Sequence, residues 1–570
     1  MGKLKKYIKP YILYMLLTMA IKFCGTTMEL WIPTLMEVMV DEKVPAGDLT
    51  QIYLYGGLMI LCAVGALLGN IFANRMTAKS SGKITKQLRH DLFAKLQSLS
   101  ARQMDTLTVS SAESRLTSDT YNINQLLARV QRMGIRAPIL LLGGVIMMMR
   151  MDMVLSLVLI ALLPVIALVV YFVTKYSVPL YTRQQTTLDK VVRVLQENIT
   201  GIRVIKALSK TEYEKERFHN VNTQLSQVSE QAATVSSVTN PVVSLTLRIG
   251  LTLVVIVGAY RVNAGVFDGG VILAFLTYFT MILNAMLGIT RIFVMWSKGQ
   301  ASAERVAQVL ELPEELQVLP WEQPQKNAPH IAFENVSFSY TGVGTNIENL
   351  SFRLERGQTL GILGATGSGK STIINLLLRL YDPDQGCIRI DGQDIRTIDY
   401  ETLRKKFGIV FQNDFLAEGT IAHNISFFRE LEDSALSKAA AAAQAEFILE
   451  KGMDAEVAVR GNNLSGGQRQ RLLIARALAA DPEILILDDA SSALDYQTDA
   501  KLRKALRQHY RNTTTVVIAQ RISSLRHADL ILVLSDGQLI GAGSHSQLME
   551  SCEEYRTIAQ LQMGDRKEAL

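Results

Sequence analysis

The segment Gly364-Ala-Thr-Gly-Ser-Gly-Lys-Ser371 constrains the fold of this chain more than any other. It follows a strand-like run, Thr359 to Leu363, and precedes a helical run, Thr372 to Leu380. Closely spaced glycines let successive backbone N–H groups point at one spot, and the helix N-terminus adds its dipole, so that the segment forms a cradle for anions. In this setting the pattern G-x-x-x-x-G-K-[ST] predicts a phosphate-binding loop. We expect Lys370 to reach the outer phosphates of ATP and the Ser371 hydroxyl to bind Mg²⁺.

The composition indicates a membrane part joined to a soluble part. A chain of 570 residues is too long for a single core, so at least two domains are expected. Hydrophobic residues make up 48 % and mean hydropathy is +0.18, which is high for a chain with 20 % charged residues. The net charge of +6 gives no basis for a nucleic-acid partner and fits basic loops beside an anionic leaflet. The cysteines are scattered without a CxxC pair, so neither a disulfide framework nor a metal site is predicted.

Apolar runs in the first half predict membrane-spanning helices. Six runs are long enough to cross a hydrocarbon core of about 30 Å, at about 1.5 Å per residue. They cover residues 11–40, 52–75, 135–149, 154–173, 241–262 and 269–296. The first run is too long for a secretory signal peptide and shows no small-residue cleavage site. The connections 41–50, 150–153 and 263–268 are short and hold few basic residues, whereas the two long connections are rich in lysine and arginine. This asymmetry predicts that the long connections and both chain termini are cytoplasmic.

The two long connections are each about 60 residues and read as helix, turn and helix. Such arms would extend tens of ångströms beyond the bilayer, since a helix rises about 1.5 Å per residue. They suit a membrane domain that is levered from its cytoplasmic side. The alternative is that they are solvated helical hairpins.

A polar, proline-rich segment separates the two halves of the sequence. Residues 311–329 contain four prolines and are predicted to be a linker. After it, strands alternate with helices; the strand-like runs are 333–340, 359–363, 407–411, 484–487, 515–519 and 530–534. This alternation predicts an α/β nucleotide-binding domain over residues 330–570, after an all-α membrane domain over residues 1–310.

A second carboxylate is needed on the Mg²⁺ side of any ATP-hydrolysing site. The run Ile484-Leu-Ile-Leu-Asp488 is an apolar strand that ends in an aspartate. We therefore predict that Asp488 is the carboxylate on the metal side.

Between these motifs lies the pentapeptide Leu464-Ser-Gly-Gly-Gln468, followed by a helical run. With it, residues 331 to about 561 resemble the ATP-binding cassette (ABC) family, whose signature is this pentapeptide. The resemblance implies that ATP is bound by Tyr340, Gly364, Ala365, Thr366, Gly367, Ser368, Gly369, Lys370, Ser371, Thr372 and Gln412. It implies that Mg²⁺ is held by Ser371, Gln412 and Asp488, and that Asp495 belongs to the D-loop.

The membrane half also resembles the family, in its exporter branch. Six spans precede a single cassette, and residues 197–206 are similar to the family's second intracellular coupling region. The resemblance implies a second half-transporter as partner, with each phosphate-binding loop facing the signature of the other chain. The residues that this chain would lend in that way are Leu464, Ser465, Gly466, Gly467 and Gln468. A signature at a helix N-terminus is suited to binding a γ-phosphate across the interface.

Two positions depart from the family pattern together. Asp489 stands where the family has the glutamate that polarises the attacking water, and Gln520 replaces the switch-loop histidine. Aspartate is one methylene shorter than glutamate, and glutamine cannot be protonated. We therefore expect this chain's own site to bind ATP and to hydrolyse it poorly. The pattern resembles bacterial heterodimeric exporters with one degenerate site; a slow homodimer is the alternative.

Polar residues within the predicted spans are candidates for a substrate path, because such groups are costly in a membrane. The candidates are Lys22, Glu29, Arg248, Tyr278, Asn284 and Arg291. Lys22 and Glu29 lie on one helical face and are expected either to pair with each other or to point into a cavity. Structural pairing is the competing interpretation for the whole set.

Taken together, the sequence predicts one half of an ATP-driven exporter in the plasma membrane of a bacterium, moving amphipathic small molecules such as drugs. An uptake transporter, a lipid or peptide flippase of the same fold, and a non-hydrolytic allosteric subunit are the alternatives.

Overall fold

The computed structural model describes residues 4–313 and 316–563. The chain divides into two compact units. The first consists of Met1–Leu96 with Ser110–Leu312, and the second of Gln97–Val109 with Pro313–Leu570. The short segment 97–109 therefore belongs to the second unit, although in sequence it interrupts the first.

The described secondary-structure elements of the first unit are all helices, joined by short turns. Its helices are α1 (Lys5–Ile8), α2 (Ile12–Val38), α3 (Leu49–Gln97), α5 (Val109–Ser114), α6 (Thr120–Met133), α7 (Arg136–Pro138), α8 (Gly144–Met151), α9 (Met153–Ala207), α10 (Thr211–Ser237), α11 (Thr239–Asn263) and α12 (Gly269–Leu310), while α4 (Ala101–Leu107) lies in the second unit. Short 3₁₀ or π-helical stretches at Lys9–Tyr11, Met39–Lys43, Arg115–Asp119 and Ile139–Gly143 join some of them.

Among the described residues, five helical stretches are long and apolar enough to cross a membrane. They are Lys5–Lys43, Leu49–Gln97, Val109–Met151, Ser244–Asn263 and Gly269–Met286. The predicted span 154–173 falls within α9 and includes side chains that lie outside the described residues. The second long connection is built from the end of α9 and the start of α10, with a turn at residues 208–210.

Helix α12 supplies the centre of the apolar core of the first unit. Phe275, Tyr278, Phe279 and Ile282 recur at spacings of three and four residues, which places them on one helical face, and all four are 0 % exposed. They pack with residues of α2, α8 and α11 in one cluster. The aromatic stripe of this helix is therefore core rather than surface.

Over residues 97–109, 313 and 316–563, which the structure describes, the second unit contains twelve strands in three sheets. The strands are β1 (Ile331–Phe338), β2 (Ile347–Leu354), β3 (Thr359–Gly364), β4 (Gln385–Ile390), β5 (Gln393–Asp394), β6 (Phe407–Val410), β7 (Gly419–Thr420), β8 (Glu456–Val457), β9 (Ile484–Asp488), β10 (Thr514–Ile518), β11 (Leu530–Ser535) and β12 (Gln538–Gly543). The main sheet has the order β12-β11-β3-β10-β9-β6 and is parallel except at β12. The order β2-β1-β4-β5 forms a second, antiparallel sheet, and β7 pairs with β8.

Helices cover the sheets of the second unit. They are α13 (Lys370–Leu377), α14 (Tyr400–Lys405), α15 (Ile421–Ser426), α16 (Asp433–Ala442), α17 (Phe447–Lys451), α18 (Gly466–Leu478), α19 (Tyr496–His509), α20 (Ile522–Leu525), α21 (His545–Ser551) and α22 (Glu553–Met563). The strand β9 is buried at every residue, as expected for the centre of a parallel sheet that is covered on both faces. Alternate residues in this part of the sheet belong to two separate apolar clusters, one on each face of the sheet.

The six predicted strand-like runs match β1, β3, β6, β9, β10 and β11 to within a few residues at each end, whereas the other strands were not predicted. The helix after the phosphate-binding loop starts at Lys370, two residues before the predicted start. Short 3₁₀ turns at Ile395–Thr397 and Val459–Gly461 complete the second unit.

Candidate functional site

The carboxyl ends of four neighbouring strands carry the predicted ATP-site residues. Strands β3, β10, β9 and β6 lie side by side in that order. Strand β3 ends at Gly364, where the phosphate-binding loop begins, and β9 ends at Asp488. Gln520 comes two residues after β10, and Gln412 comes two residues after β6. Ligand sites of parallel sheets lie at this edge, so the topology brings together residues that are far apart in sequence.

The phosphate-binding loop has the backbone conformation that its glycines allow. Gly367 and Gly369 have φ values of +87° and +96°, in the region that side chains disfavour. A Cβ atom at Gly369 would also lie 2.6 Å from Cδ1 of Ile347, so glycine is required there for space as well. Because α13 begins at Lys370, the N–H groups of its first turn have no acceptor within the helix and are available to an anion.

The ammonium group of Lys370 lies against its own loop. Its Nζ donates to the carbonyl oxygens of Gly364 at 2.9 Å and of Ala365 at 2.6 Å. Burial lowers the pKa of Lys370, and the carboxylates of Asp488 and Asp489 oppose that shift. A phosphate oxygen is a stronger acceptor than a carbonyl, so an anion in the loop would compete for this donor.

The residues on the metal side form a set of oxygen donors. Ser371 Oγ donates to Asp488 Oδ2 at 3.2 Å, and a backbone hydrogen bond from Gln412 reaches the same carboxyl group. Asp488 is 5 % exposed, and burial together with the adjacent charge of Asp489 raises its pKa. A hydroxyl, a carboxylate and an amide oxygen are the donors that Mg²⁺ prefers, so these residues fit the ion. When bound there, Mg²⁺ would supply positive charge beside the phosphates.

A cavity of about 340 Å³ opens at this edge of the sheet. It is lined by Tyr340, Asn346, Thr366, Gly367, Gly369, Lys370, Ser371, Thr372, Gln412, Asp488, Asp489, Ile518 and Gln520. Of the predicted ATP-binding residues, only Gly364, Ala365 and Ser368 are absent from this lining among the described residues. Ser368 is buried, and its hydroxyl has no hydrogen-bond partner there. Asn346 and Ile518 were not predicted from the sequence.

Tyr340 is held in an aromatic cluster at the mouth of the loop. Its ring meets Phe338 edge-on at 4.9 Å and Tyr381 edge-on at 5.0 Å. Its hydroxyl accepts a hydrogen bond of 3.0 Å from Nδ2 of Asn375 on α13. The ring is partly exposed and lines the cavity, which is the placement an adenine-stacking aromatic needs.

Asp489 and Gln520, the two positions predicted to depart from the family pattern, line the same cavity as Asp488. The backbone N–H of Asp489 donates to the carbonyl of Ile518 at 3.0 Å, which ties the end of β9 to the end of β10. Asp489 has a φ of +52°, in the left-handed region that aspartate and asparagine enter more readily than most residues. The two side chains predicted to replace a glutamate and a histidine thus line the same cavity as the predicted metal ligand.

One residue that could not be predicted from the sequence fixes the backbone of the segment Gln520 to Ile522, which is called the switch segment below. Gln562, on α22, donates through Nε2 to the carbonyl of Gln520 at 2.7 Å. Its Oε1 accepts from the backbone N–H of Ile522 at 2.8 Å. One amide thus binds the chain on both sides of Arg521, whose guanidinium lies 5.0 Å from the ring centre of Tyr496. No motif signals this contact, because it joins positions 40 and 42 residues apart.

The signature and the D-loop residue cap helices. The hydroxyl of Ser465 accepts from the N–H of Gln468 at 3.2 Å, and Gln468 Oε1 accepts in return from the N–H of Ser465 at 3.0 Å, which is a capping box at the start of α18. Asp495 Oδ1 accepts from two N–H groups at the start of α19, and these bonds lower its pKa. None of the signature residues Leu464 to Gln468 lines the nucleotide cavity in the described part of this chain. Ser465 and Gly466 are exposed.

Among the candidate substrate-path residues, Lys22 and Glu29 both have structural partners, although not each other. Lys22 and Glu29 do not pair with each other: Lys22 Nζ donates to Asn70 Oδ1 at 2.5 Å, and Glu29 pairs with Arg136 at 2.8 Å. Lys22 and Glu29 are too far apart along the helix axis to pair with each other, so each side chain contacts a residue of a neighbouring helix instead. Tyr278 is fully buried, where its hydroxyl donates to the carbonyl of Leu30 at 2.7 Å.

The remaining candidates of that set lie on α11 and α12. Arg248 and Asn284 are exposed, and the side chain of Arg291 lies outside the described residues.

Comparison with known proteins agrees with this geometry. Residues 11–286 match the ABC transporter transmembrane region, and residues 347–492 match the ABC transporter ATP-binding family. An uncharacterized ABC transporter ATP-binding protein, YfiB of Bacillus subtilis, is 33 % identical over 573 aligned residues, covering 99 % of each chain. An ATP-dependent lipid A-core flippase of Vibrio vulnificus is 32 % identical, covering 85 % of this chain and 84 % of the flippase.

A solved structure of a bacterial Atm1-family ABC exporter with ATP bound has the same fold. It superposes with a TM-score of 0.79 at 24 % sequence identity, covering 99 % of both chains. The predicted fold class, a helical transmembrane domain followed by an α/β nucleotide-binding domain, is confirmed. With a phosphate-binding loop, a buried carboxylate at Asp488 and relatives that share its whole length, this chain is an ATPase-coupled membrane transporter and belongs to the ABC transporter family.

Proposed function

We propose that this chain is one half of a heterodimeric ABC exporter that moves amphipathic small molecules out of a bacterial cell. Both termini lie in the cytoplasm, and a second, different half-transporter completes the complex in the plasma membrane. The observation that carries the proposal is that Asp489 and Gln520 line the nucleotide cavity beside Asp488. In this arrangement the chain's own site holds ATP and Mg²⁺, while the partner's site performs most of the hydrolysis.

The chain's own ATP site is expected to hydrolyse ATP slowly because of its geometry. An aspartate carboxylate ends about 1 Å short of a water positioned for glutamate, and a misplacement of that size costs about a hundredfold in rate. Gln520 lines the cavity but cannot exchange a proton as a histidine can. Loss of a well-placed general base corresponds to roughly 10²- to 10⁴-fold, or about 3 to 5 kcal/mol of barrier.

The intact signature supports a role for this chain in the partner's site. Ser465 and Gln468 cap each other at the start of α18, and Ser465 is exposed. The first-turn N–H groups of that helix are suited to a γ-phosphate brought by another chain. We expect the partner to carry the glutamate and histidine that this chain lacks, and to have an altered signature.

Transport requires the membrane helices to respond to the nucleotide. Residues 97–109 belong to the nucleotide-binding unit, yet they are continuous in sequence with α3 and α5. A displacement of that unit is therefore passed along the chain to both helices. Alternating access driven in this way is the mechanism we propose.

The deciding experiment compares ATP hydrolysis by the purified chain alone and with its partner. We expect the chain alone to bind ATP with slow turnover, and the double variant Asp489→Glu, Gln520→His to raise its turnover at least about tenfold. If the unaltered chain alone hydrolyses ATP rapidly and Asp489→Asn abolishes this activity, the proposal is wrong and a homodimer is favoured.

A lipid flippase is the second candidate, because a relative of which the alignment with this chain covers 84 % is named an ATP-dependent lipid A-core flippase. Inside-out vesicles that contain both half-transporters distinguish the candidates. Uptake of an amphipathic dye into the vesicles supports drug export, translocation of labelled lipid alone supports the flippase, and ATP-driven movement out of the vesicles supports uptake into the cell.

A further inference from the structure

A second cavity lies in the nucleotide-binding unit, away from the phosphate-binding loop. It measures about 290 Å³, close to the lower end of the range typical of small-molecule sites. It lies against α19 and the strands β9 and β10 and shares only Ile518 with the lining of the nucleotide cavity. No motif in the sequence accounts for it.

The inner wall of this cavity is apolar. Leu487, Leu502, Leu506 and Tyr510 contribute to it, and each is less than 10 % exposed. A surface of this kind binds the aliphatic or aromatic body of a small molecule by excluding water, worth about 25 cal/mol for each Å² of apolar surface buried.

The two acidic residues in the lining are already engaged. Asp499 pairs with Arg503 at 2.8 Å, and Asp529 Oδ2 accepts from the backbone N–H of Thr359 at 2.7 Å. Arg503 neutralises Asp499, whereas the exposed carboxylate of Asp529 keeps its charge. The lining has no other acidic residue among those the structure describes.

One donor in the lining has no partner in the described part of the chain. Arg507 is exposed at the rim, and its guanidinium makes no ion pair or hydrogen bond there. Arg511 also lines the cavity and is exposed, so the lining holds three arginines, Arg503, Arg507 and Arg511, against two aspartates and carries a net positive charge.

We propose that this cavity is a regulatory site for an organic anion with a compact apolar body, such as an aromatic carboxylate. The apolar body lies against Leu502 and Leu506, and the carboxylate pairs with Arg507 at the rim. The bidentate geometry of a guanidinium suits a carboxylate in this position.

The position of the cavity gives its occupant a route to the ATP site. Ala490 and Ser491 line it and directly follow Asp489, and α19, which forms one wall, begins at the D-loop residue Asp495. A ligand in this cavity therefore contacts residues that directly follow the carboxylates facing the nucleotide. Binding of the anion and of ATP should therefore be coupled, by the same factor in either direction.

The test is calorimetric titration of the full-length chain in nanodiscs with 2-naphthoate, after subtraction of the signal from empty nanodiscs. The variant Arg507→Glu removes the rim charge without disturbing the core. Lys504→Glu is the matched control, because Lys504 is exposed on the same helix and is absent from the cavity lining. Thr515→Phe fills the cavity from β10, and retained ATP binding by this variant shows that it is folded. The neutral probe 2-naphthylmethanol and the cation 2-naphthylmethylamine report the preference for charge.

We expect one saturable site for 2-naphthoate, a Kd that rises at least about tenfold in Arg507→Glu, and a change below about twofold in Lys504→Glu. Binding should be lost in folded Thr515→Phe and weaker for the two other probes. Saturating ATP should shift the Kd at least about threefold. The site is disproved if no saturable binding appears up to about 5 mM, or if both charge variants weaken binding equally. An unchanged Kd with ATP disproves its regulatory role.

Discussion

Tyr381 donates its phenolic hydroxyl to Oδ2 of Asp105 at 2.5 Å, across 276 positions of sequence. Asp105 lies on α4, in the segment 97–109, and the ring of Tyr381 meets that of Tyr340 edge-on at 5.0 Å. The aromatic ring that lines the nucleotide cavity is thus two contacts away from the segment that continues into α3 and α5. Burial and the neighbouring carboxylate raise the pKa of Tyr381, so its hydroxyl remains the donor at physiological pH.

Replacing Tyr381 by Phe should weaken the coupling of ATP hydrolysis to transport. The change removes the bond to Asp105 and keeps the ring contact with Tyr340, so ATP affinity should change less than about twofold. We expect substrate to stimulate ATP hydrolysis by the complete complex less strongly. The hydroxyl of Tyr400, which donates to the carbonyl of Leu316, offers a matched control in Tyr400→Phe. Equal loss of stimulation in both variants would contradict a role for the Asp105 contact.

Two glycines of the phosphate-binding loop should respond differently to alanine. Both have positive φ, but a Cβ at Gly367 meets nothing within 4 Å, whereas a Cβ at Gly369 meets Ile347 at 2.6 Å. Gly367→Ala should cost about 1 kcal/mol of loop strain, and Gly369→Ala should cost more, because the steric clash adds to it. We expect binding of a fluorescent ATP analogue to fall further in Gly369→Ala. A larger loss in Gly367→Ala would mean that the loop has another conformation.

Gln562 should act as a positioning residue for the switch segment. Its two bonds go to the backbone of Gln520 and Ile522, so they persist when the side chain at position 520 is changed. In the background of Asp489→Glu, Gln520→His, we expect Gln562→Leu to lower kcat for ATP by about tenfold while KM stays within about twofold.

The control for that prediction is Gln560→Leu, because Gln560 is exposed on the same helix and makes no hydrogen bond within the described residues. It should leave both kinetic constants unchanged. A parallel rise of KM and loss of thermal stability in Gln562→Leu would instead indicate a purely structural contact.

The stability of the nucleotide-binding unit should fall in mild acid because of His330. This side chain is 2 % exposed, lies 2.6 Å from Thr514 Oγ1 through Nδ1, and burial lowers its pKa. The folded protein then holds the proton less tightly than the unfolded chain, whose histidines titrate near pH 6.5. The stabilisation is therefore present above that pH and is lost below it, with a slope of at most about 1.4 kcal/mol per pH unit for one group.

Thermal melting between about pH 5 and 8 checks this expectation. The slope should be smaller in His330→Gln, although not abolished, because burial also lowers the pKa of His527 and His545. His509→Gln is the control on the exposed end of α19. An unchanged slope in His330→Gln would mean that another group carries the acid sensitivity.

The placement of the predicted ATP-site residues at one edge of the sheet follows largely from the sequence, because the parts of the site are local. Lys370 follows a glycine-rich loop, and Asp488 ends an apolar strand, so strand and loop patterns suffice to place them. The parallel sheet then brings Gln412 and Gln520 to the same edge without further information.

Contacts between distant elements could not be predicted in this way. The pairing of Glu29 with Arg136 depends on how α2 and α7 pack, and the bond of Gln562 to Gln520 depends on where α22 docks. Neither leaves a periodic pattern in the sequence. The same holds for residues 97–109, whose composition does not distinguish them from the helices on either side.

The membership of residues 97–109 in the second unit has a practical consequence for fragment design. Ala101 packs against the core of this unit, and the guanidinium of Arg102 lies 5.7 Å from the ring centre of Phe338. A soluble ATPase fragment cut at the linker would uncover that apolar patch and lose the acceptor for Tyr381. Grafting the thirteen-residue stretch back through a flexible tether should improve its yield and solubility in expression trials.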